Sequence, residues 1–172
     1  MRIGLIWKAA ATVALGAGLT FAQQAAPQKQ PQPKSQKELE ALQAIFNEQN
    51  PDKRIAAVEN LLTNFADTEF KAVALQIAAG SAQQKGDFEK TIVYSERTLE
   101  ADPKNYAAML MMATTLAQRT KKFDLDKEEK LTRAEKNARA ALDLIAKAPK
   151  PRHDITDEQW ADAVKDRMNA HA

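Results

Sequence analysis

Cysteine is absent from the chain, which excludes disulfides, thiolate metal sites, a cysteine nucleophile and a lipid anchor carried on an N-terminal cysteine. An oxidising compartment stays compatible, because a chain can fold there without cross-links. Glycine is scarce too. Gly4, Gly16 and Gly18 precede residue 23, leaving Gly80 and Gly86 for everything after it. Two glycines cannot build a Gly-rich phosphate loop of either common kind. Serine is limited to Ser35, Ser81 and Ser95, and histidine to His153 and His171 near the end of the chain. Assembling a Ser-His-acid triad or a two-histidine metal site from these would need a fold-back that nothing in the sequence supports. Aromatics are only 6% of the residues, and no stretch alternates Val, Ile or Thr with polar residues, so a sheet lacks its usual material. No pair of carboxylates stands isolated in an apolar setting that would raise a pKa. The expectation is a non-catalytic protein without cofactor or metal.

What the chain does have is apolar content at 44%, much of it alanine, which favours helices packed closely through small side chains. The fold class expected is all-α. The formal charge of +2 includes Arg2 and Lys8; without them 23 basic residues face 23 acidic ones, 25 less two against 23. A neutral remainder has no long-range attraction for nucleic acid or anionic lipid.

The first 22 residues read as a secretory signal peptide: Arg2 and Lys8 at a basic start, an apolar stretch at 9–21, then Thr20-Phe21-Ala22 before a cut after Ala22. A membrane span, the alternative, needs about 20 apolar residues, and Lys8 interrupts any longer run. This places the protein in the periplasm or outside the cell, with no span left after cleavage. Residues 23–34, QQAAPQKQPQPK, hold no large apolar side chain and predict an extended, mobile linker.

Ordered structure is expected from Ser35, where Ser35-Gln36-Lys37-Glu38 forms a capping box. Leu39, Leu42, Ile45 and Phe46 mark a first helix. Asn50-Pro51 opens a second, with Ile55, Val58, Leu61, Leu62 and Phe65 on one face. Asp67 or Thr68 caps a third, carrying Phe70, Val73, Ile77 and Ala78 and stopping near Gly86. A fourth carries Phe88, Ile92 and Leu99, and a fifth Met109, Met112 and Leu116. After a charged insertion at 120–130, Asp126 to Glu129 reads as a second capping box. It opens a sixth helix striped by Leu131, Ala134, Ala138, Ala141, Leu142 and Ile145. Thr156 to Gln159 opens a seventh, with Trp160, Val164 and Met168 on one face. Asp124, Asp126, Glu128 and Glu135 also match four positions of a calcium loop, but Glu129 stands where that loop turns on glycine.

The stretch from Gly86 to Asn105, GDFEKTIVYSERTLEADPKN, resembles the second half of a tetratricopeptide repeat. Gly86 takes the turn, Phe88 the aromatic that packs back on the preceding helix, Thr91 and Thr98 the small positions, Leu99 the leucine and Pro103 the stop. Extending that register gives repeats over about 38–71, 72–105 and 106–148. Ala79 and Ala113 then share a small position in successive repeats, and Ala134, Ala138 and Ala141 return to register after the insertion. The resemblance implies a solenoid of helical hairpins, and residues 151–172 either cap it or begin a further repeat. The competing architecture is an ordinary antiparallel bundle.

In such a solenoid the first helices line a concave groove. The resemblance places Val73, Gln76, Gly80, Gln83, Gln84, Ala107, Leu110, Thr114, Ala117 and Gln118 in it. Chaperone-binding members of the family use lysine, asparagine and arginine there to clamp a terminal carboxylate; this chain has none of them at those positions. Glutamine, leucine and small residues suit an extended, partly apolar segment instead. The implied function is a protein-binding scaffold of the cell envelope, and the alternative is a structural subunit of a larger envelope assembly.

Overall fold

The computed structural model describes residues 31–149 and 155–171, with side-chain surroundings given to 166. The expected signal peptide and residues 23–30 of the expected linker lie outside the described residues. Within them the chain is helical and contains no strand. The helices are α1 (Gln36–Asn47), α2 (Pro51–Asn64), α3 (Lys71–Gln84), α4 (Phe88–Ala101), α5 (Tyr106–Arg119), α6 (Lys127–Ala146) and α7 (Asp157–His171).

Most starts follow from local chemistry. Ser35 Oγ accepts the Glu38 N–H at 3.1 Å, and Asn50 Oδ1 accepts the N–H groups of Asp52 and Lys53 ahead of a helix beginning on Pro51. Asp87 and Asn105 cap α4 and α5 in the same manner. Thr156 and Gln159 exchange side-chain and backbone bonds of 3.1 Å at the start of α7, a complete capping box. Each side-chain acceptor takes over an N–H that the first turn leaves without a partner.

Three expectations about helix starts need correction. Helix α3 begins at Lys71 after Phe70, which caps without a side-chain bond. Thr68 is not its cap, because the Thr68 hydroxyl donates to the Glu38 carboxylate at 2.6 Å while accepting from the Phe70 N–H. Glu38 in turn does not close the capping box on Ser35; its carboxylate, buried at 1% exposure, accepts the Lys34 N–H at 2.6 Å. The box at Asp126 does not form either. That carboxylate pairs with Lys130 at 2.8 Å and leaves the first turn of α6 without a side-chain cap.

The boundaries of two segments also move. The linker does not run free to residue 34, since Gln32 N–H reaches Glu69 and the Lys34 ammonium reaches Asp67 at 2.7 Å. The insertion is shorter than 120–130, because its last four residues already belong to α6. Phe46, expected on the buried stripe of α1, is 57% exposed, while Leu42 and Ile45 carry that packing.

The α3–α4 turn is built on Gly86. Its N–H bonds Gln83 O and the Asp87 N–H bonds Ala82 O, both at 2.9 Å, a Schellman closure that needs a left-handed residue. Gly86 supplies it with φ of +72°. One cluster of buried side chains joins α1 to α4 around Leu42, Ile45, Val58, Leu61 and Leu75, with Ala74, Ala78, Ala79 and Ala82. A second gathers Met112, Leu116 and Ala134, with Ile92 and Leu99 packed against it. Each helix packs on its neighbour in sequence, and α3 also packs on α5.

Candidate binding groove

Three helices offer residues spaced to share a face. On α3 these are Gln76, Gly80 and Gln83; on α5 they are Ala107, Leu110, Met111 and Thr114; on α6 they are Leu131, Ala134, Glu135 and Ala138. Spacings of three, four and seven residues put each set on a single helix side. The α3 and α5 sets, with Tyr106, enclose a depression of about 380 Å³. The α5 and α6 sets, with Ala113 and Ala117, enclose another of about 360 Å³. Leu110 and Thr114 line both, so the two adjoin across α5.

Seven of the ten expected groove residues lie in this lining: Gln76, Gly80, Gln83, Ala107, Leu110, Thr114 and Ala117. Gln84 and Gln118 do not. Each follows a lining residue by one position, and 100° of helical rotation carries its side chain off that face. Val73 stands one turn before Gln76, 44% exposed and outside either depression. The sequence reading missed Tyr106 and the α6 wall. Leu131, Ala134 and Ala138 form a stripe on α6 to which the sequence assigns no groove role, yet Leu131 is 36% exposed. Its i, i+3, i+7 relation to Ala134 and Ala138 was the available signal.

The lining is nearly free of charge in a chain that is 28% charged. Glu135 is the exception, and Arg139 one turn on holds its carboxylate at 2.6 Å. Gln76 is fixed rather than free: Asn105 Nδ2 donates to its Oε1 at 2.8 Å, while Asn105 Oδ1 caps α5. One asparagine therefore sets both the start of α5 and the amide orientation on α3. Gly80 has nothing within 4 Å of where a Cβ would stand, so its lack of a side chain leaves open space at the surface.

The remaining repeat positions differ in burial. Ala79, Thr91, Thr98 and Ala141 are fully buried, Ala113 and Ala134 nearly so. Leu99 and Ala138 are half-buried, and Pro103 is exposed just past the end of α4. Phe88 differs: its ring stacks under the Arg119 guanidinium of α5, 4.5 Å from the centroid, so the contact seen here reaches forward to a later helix. Trp160 is half-buried, and its Nε1 donates to Ala148 O at 3.1 Å, at the C-terminal end of α6. Leu131 lies roughly 25 Å back along that helix at 1.5 Å per residue, so Trp160 does not cover the whole stripe.

Outside the groove, Glu59, Tyr94 and Arg97 form one cluster. Hydrogen bonding from Arg97 holds the Glu59 carboxyl below the usual glutamate range. Burial pushes the Tyr94 phenol up, with the Glu59 carboxylate adding to it. A larger depression, about 480 Å³, lies beside the Gly86 turn between Phe88, Ile92, Leu116, Arg119 and Lys130. Charges of both signs rim it, Asp87 and Glu89 against Arg119 and Lys130, whereas the smaller pair is walled by three helices and almost uncharged. Asp124 and Asp126, two of the calcium-loop positions, both face the Lys130 ammonium. Among the described residues no cluster of three or more His, Asp or Glu could hold a metal ion. No helix among them is long and apolar enough to cross a membrane.

Compared with known proteins, the chain matches no family model, no curated protein and no solved structure.

Proposed function

We propose that this chain is an exported tetratricopeptide-type scaffold that binds an extended, partly apolar segment of another protein across α3, α5 and α6. The observation that carries the repeat reading is contact between helices two apart in the chain. Helix α3 packs on α5, Arg97 of α4 pairs with Glu59 of α2, and Arg133 of α6 pairs with Glu96 of α4. Stacked hairpins place alternate helices side by side in this way. The resulting face on α3, α5 and α6 carries amides at one end and leucine and alanine at the other. Main-chain groups of a bound segment find partners in Gln76 and Gln83, and an apolar side chain finds Leu110, Ala113, Leu131 and Ala134.

Export is supported by the basic start, apolar stretch and Thr-Phe-Ala site; intact mass from the native host checks it, and a chain retaining Met1 would rule it out. For the groove, a photo-crosslinking residue in place of Leu110 is expected to capture a partner from envelope extract. The same residue in place of Glu100, near the C-terminus of α4, is expected to capture none. A Thr114→Arg change, at an exposed lining position, should abolish capture with the fold intact. Capture that survives it would remove the groove from the function.

A further inference from the structure

The loop at 120–126, between α5 and α6, carries the two most exposed large apolar side chains among the described residues. Phe123 is 86% exposed and Leu125 fully so, at 107%. Slack backbone does not explain this. Asp124, between them, is half-buried and accepts both the Lys121 N–H at 3.1 Å and the Lys130 ammonium at 3.2 Å. Two turns close on it, Asp124 N–H to Lys121 O and Lys127 N–H to Asp124 O, each 3.3 Å. With Asp124 held inward, its two neighbours stand out from a fixed tip.

The charges are sorted as well. Both acids of the loop, Asp124 and Asp126, engage Lys130. Lys121 and Lys122 are exposed and form no salt bridge among the described residues, and the Lys122 ammonium lies 5.4 Å from the Phe123 ring centroid. Glu128 and Glu129 are exposed acids too, but they belong to the first turn of α6. Of the charges flanking Phe123, Asp124 is taken up by Lys130, which leaves the two lysines that precede the ring as the exposed charges beside it.

A protein partner would need a cavity matched to this tip. A bilayer needs none, because a convex apolar point enters the headgroup region directly while lysine stems lie along it with their ammonium groups at the phosphates. We propose that the 120–126 loop is a membrane-contact tip, with Phe123 and Leu125 entering an anionic phospholipid interface and Lys121 and Lys122 at its phosphates. The near-neutral charge of the rest of the chain makes this a short-range contact, set by the tip and not by the field of the molecule. It is independent of the groove.

The absence of cysteine makes a single-site probe clean. In the full chain, Leu125→Cys carrying a nitrobenzoxadiazole dye is mixed with vesicles of phosphatidylcholine and phosphatidylglycerol. Its emission is expected to move to the blue and brighten several-fold, while the dye at Glu100→Cys stays unchanged. Phe123→Ser should suppress the shift at 125, and Lys121→Glu with Lys122→Glu should weaken lipid affinity about tenfold. An unchanged spectrum at 125 on protein that sediments with vesicles overturns the proposal, even where the N-terminal segment holds the chain to lipid. An equal response to phosphatidylcholine alone overturns it as well. So does a shift without vesicles that grows with protein concentration, which would assign the tip to a second copy.

Discussion

The α3–α4 and α5–α6 hairpins are made from similar helices and joined in opposite ways. The first turns through 85–87 on one left-handed glycine, its carbonyls closed by two 2.9 Å bonds. The second turns through 120–126, held by side-chain ion pairs around Lys130 and leaving Phe123 and Leu125 in solvent. A short backbone-closed turn fixes how two helices meet and offers little else. A longer turn closed by side chains can carry residues that packing does not need. Loops of that kind are where binding features concentrate.

The comparison breaks most sharply in the contact that the short turn sets. Thr91 and Thr98 are completely buried on α4, so Thr91→Trp or Thr98→Trp should overpack the interface and cost about 3 kcal/mol. Urea denaturation measures this, and variants as stable as wild type would show that α4 does not pack by those positions.

Gly86→Val is next. A β-branched residue at φ +72° is expected to cost about 2 kcal/mol, even though space for the added Cβ is open. The matching double change in the long loop, Phe123→Ser with Leu125→Ser, should stay within about 0.5 kcal/mol of wild type. Comparable losses in both would mean that the long loop is also structural.

Ser95 sharpens the same contrast from inside α4. It is fully buried and its hydroxyl has no partner among the described residues, so Ser95→Ala should raise stability by up to about 1 kcal/mol. Thermal melting reads the direction.

The smallest effect is in acid. Glu59 titrates below its ordinary value because Arg97 bonds its charged form. Its contribution is therefore complete above the unfolded glutamate pKa, about 4.3, and is lost as pH falls through the lower folded value. Both side chains are more than a third exposed, so solvent screening limits the effect to about 0.5 kcal/mol. Arg97→Met should flatten the acid limb of stability by that amount.

Much of the helical layout was legible because its causes are local. Asn50-Pro51, Asp87 and Asn105 cap where they stand, and Gly86 turns where its freedom is needed, since each acts on backbone within a few residues. Ala79, Thr91 and Thr98, which the repeat resemblance marks as small positions, are buried on α3 and α4. The failures are places where another side chain competes for the capping group, whether from far along the chain or from one turn away. Thr68 could have capped α3, but Glu38, thirty residues earlier in the chain, takes its hydroxyl. Asp126 could have capped α6, but its carboxylate pairs with Lys130 instead.

The groove divides along the same line. Its α3 and α5 walls came from register, while the α6 wall did not, because a stripe of Leu131, Ala134 and Ala138 reads alike whether it faces a core or a trough. Local pattern determined that these residues share one face of α6. Tertiary packing decided what that face meets, because Ala134 is buried with Met112 and Leu116 while Leu131, three residues earlier, is left 36% exposed. From local pattern alone came an all-helical chain, the caps at Ser35, Asn50, Asp87, Asn105 and Thr156, and the glycine turn at Gly86, all set by interactions within a turn or two. The structure alone decided the forward contact of Phe88 with Arg119, the burial of Glu38 against Thr68 and the outward tip at 123 and 125, because each depends on a side-chain partner that helical periodicity does not specify.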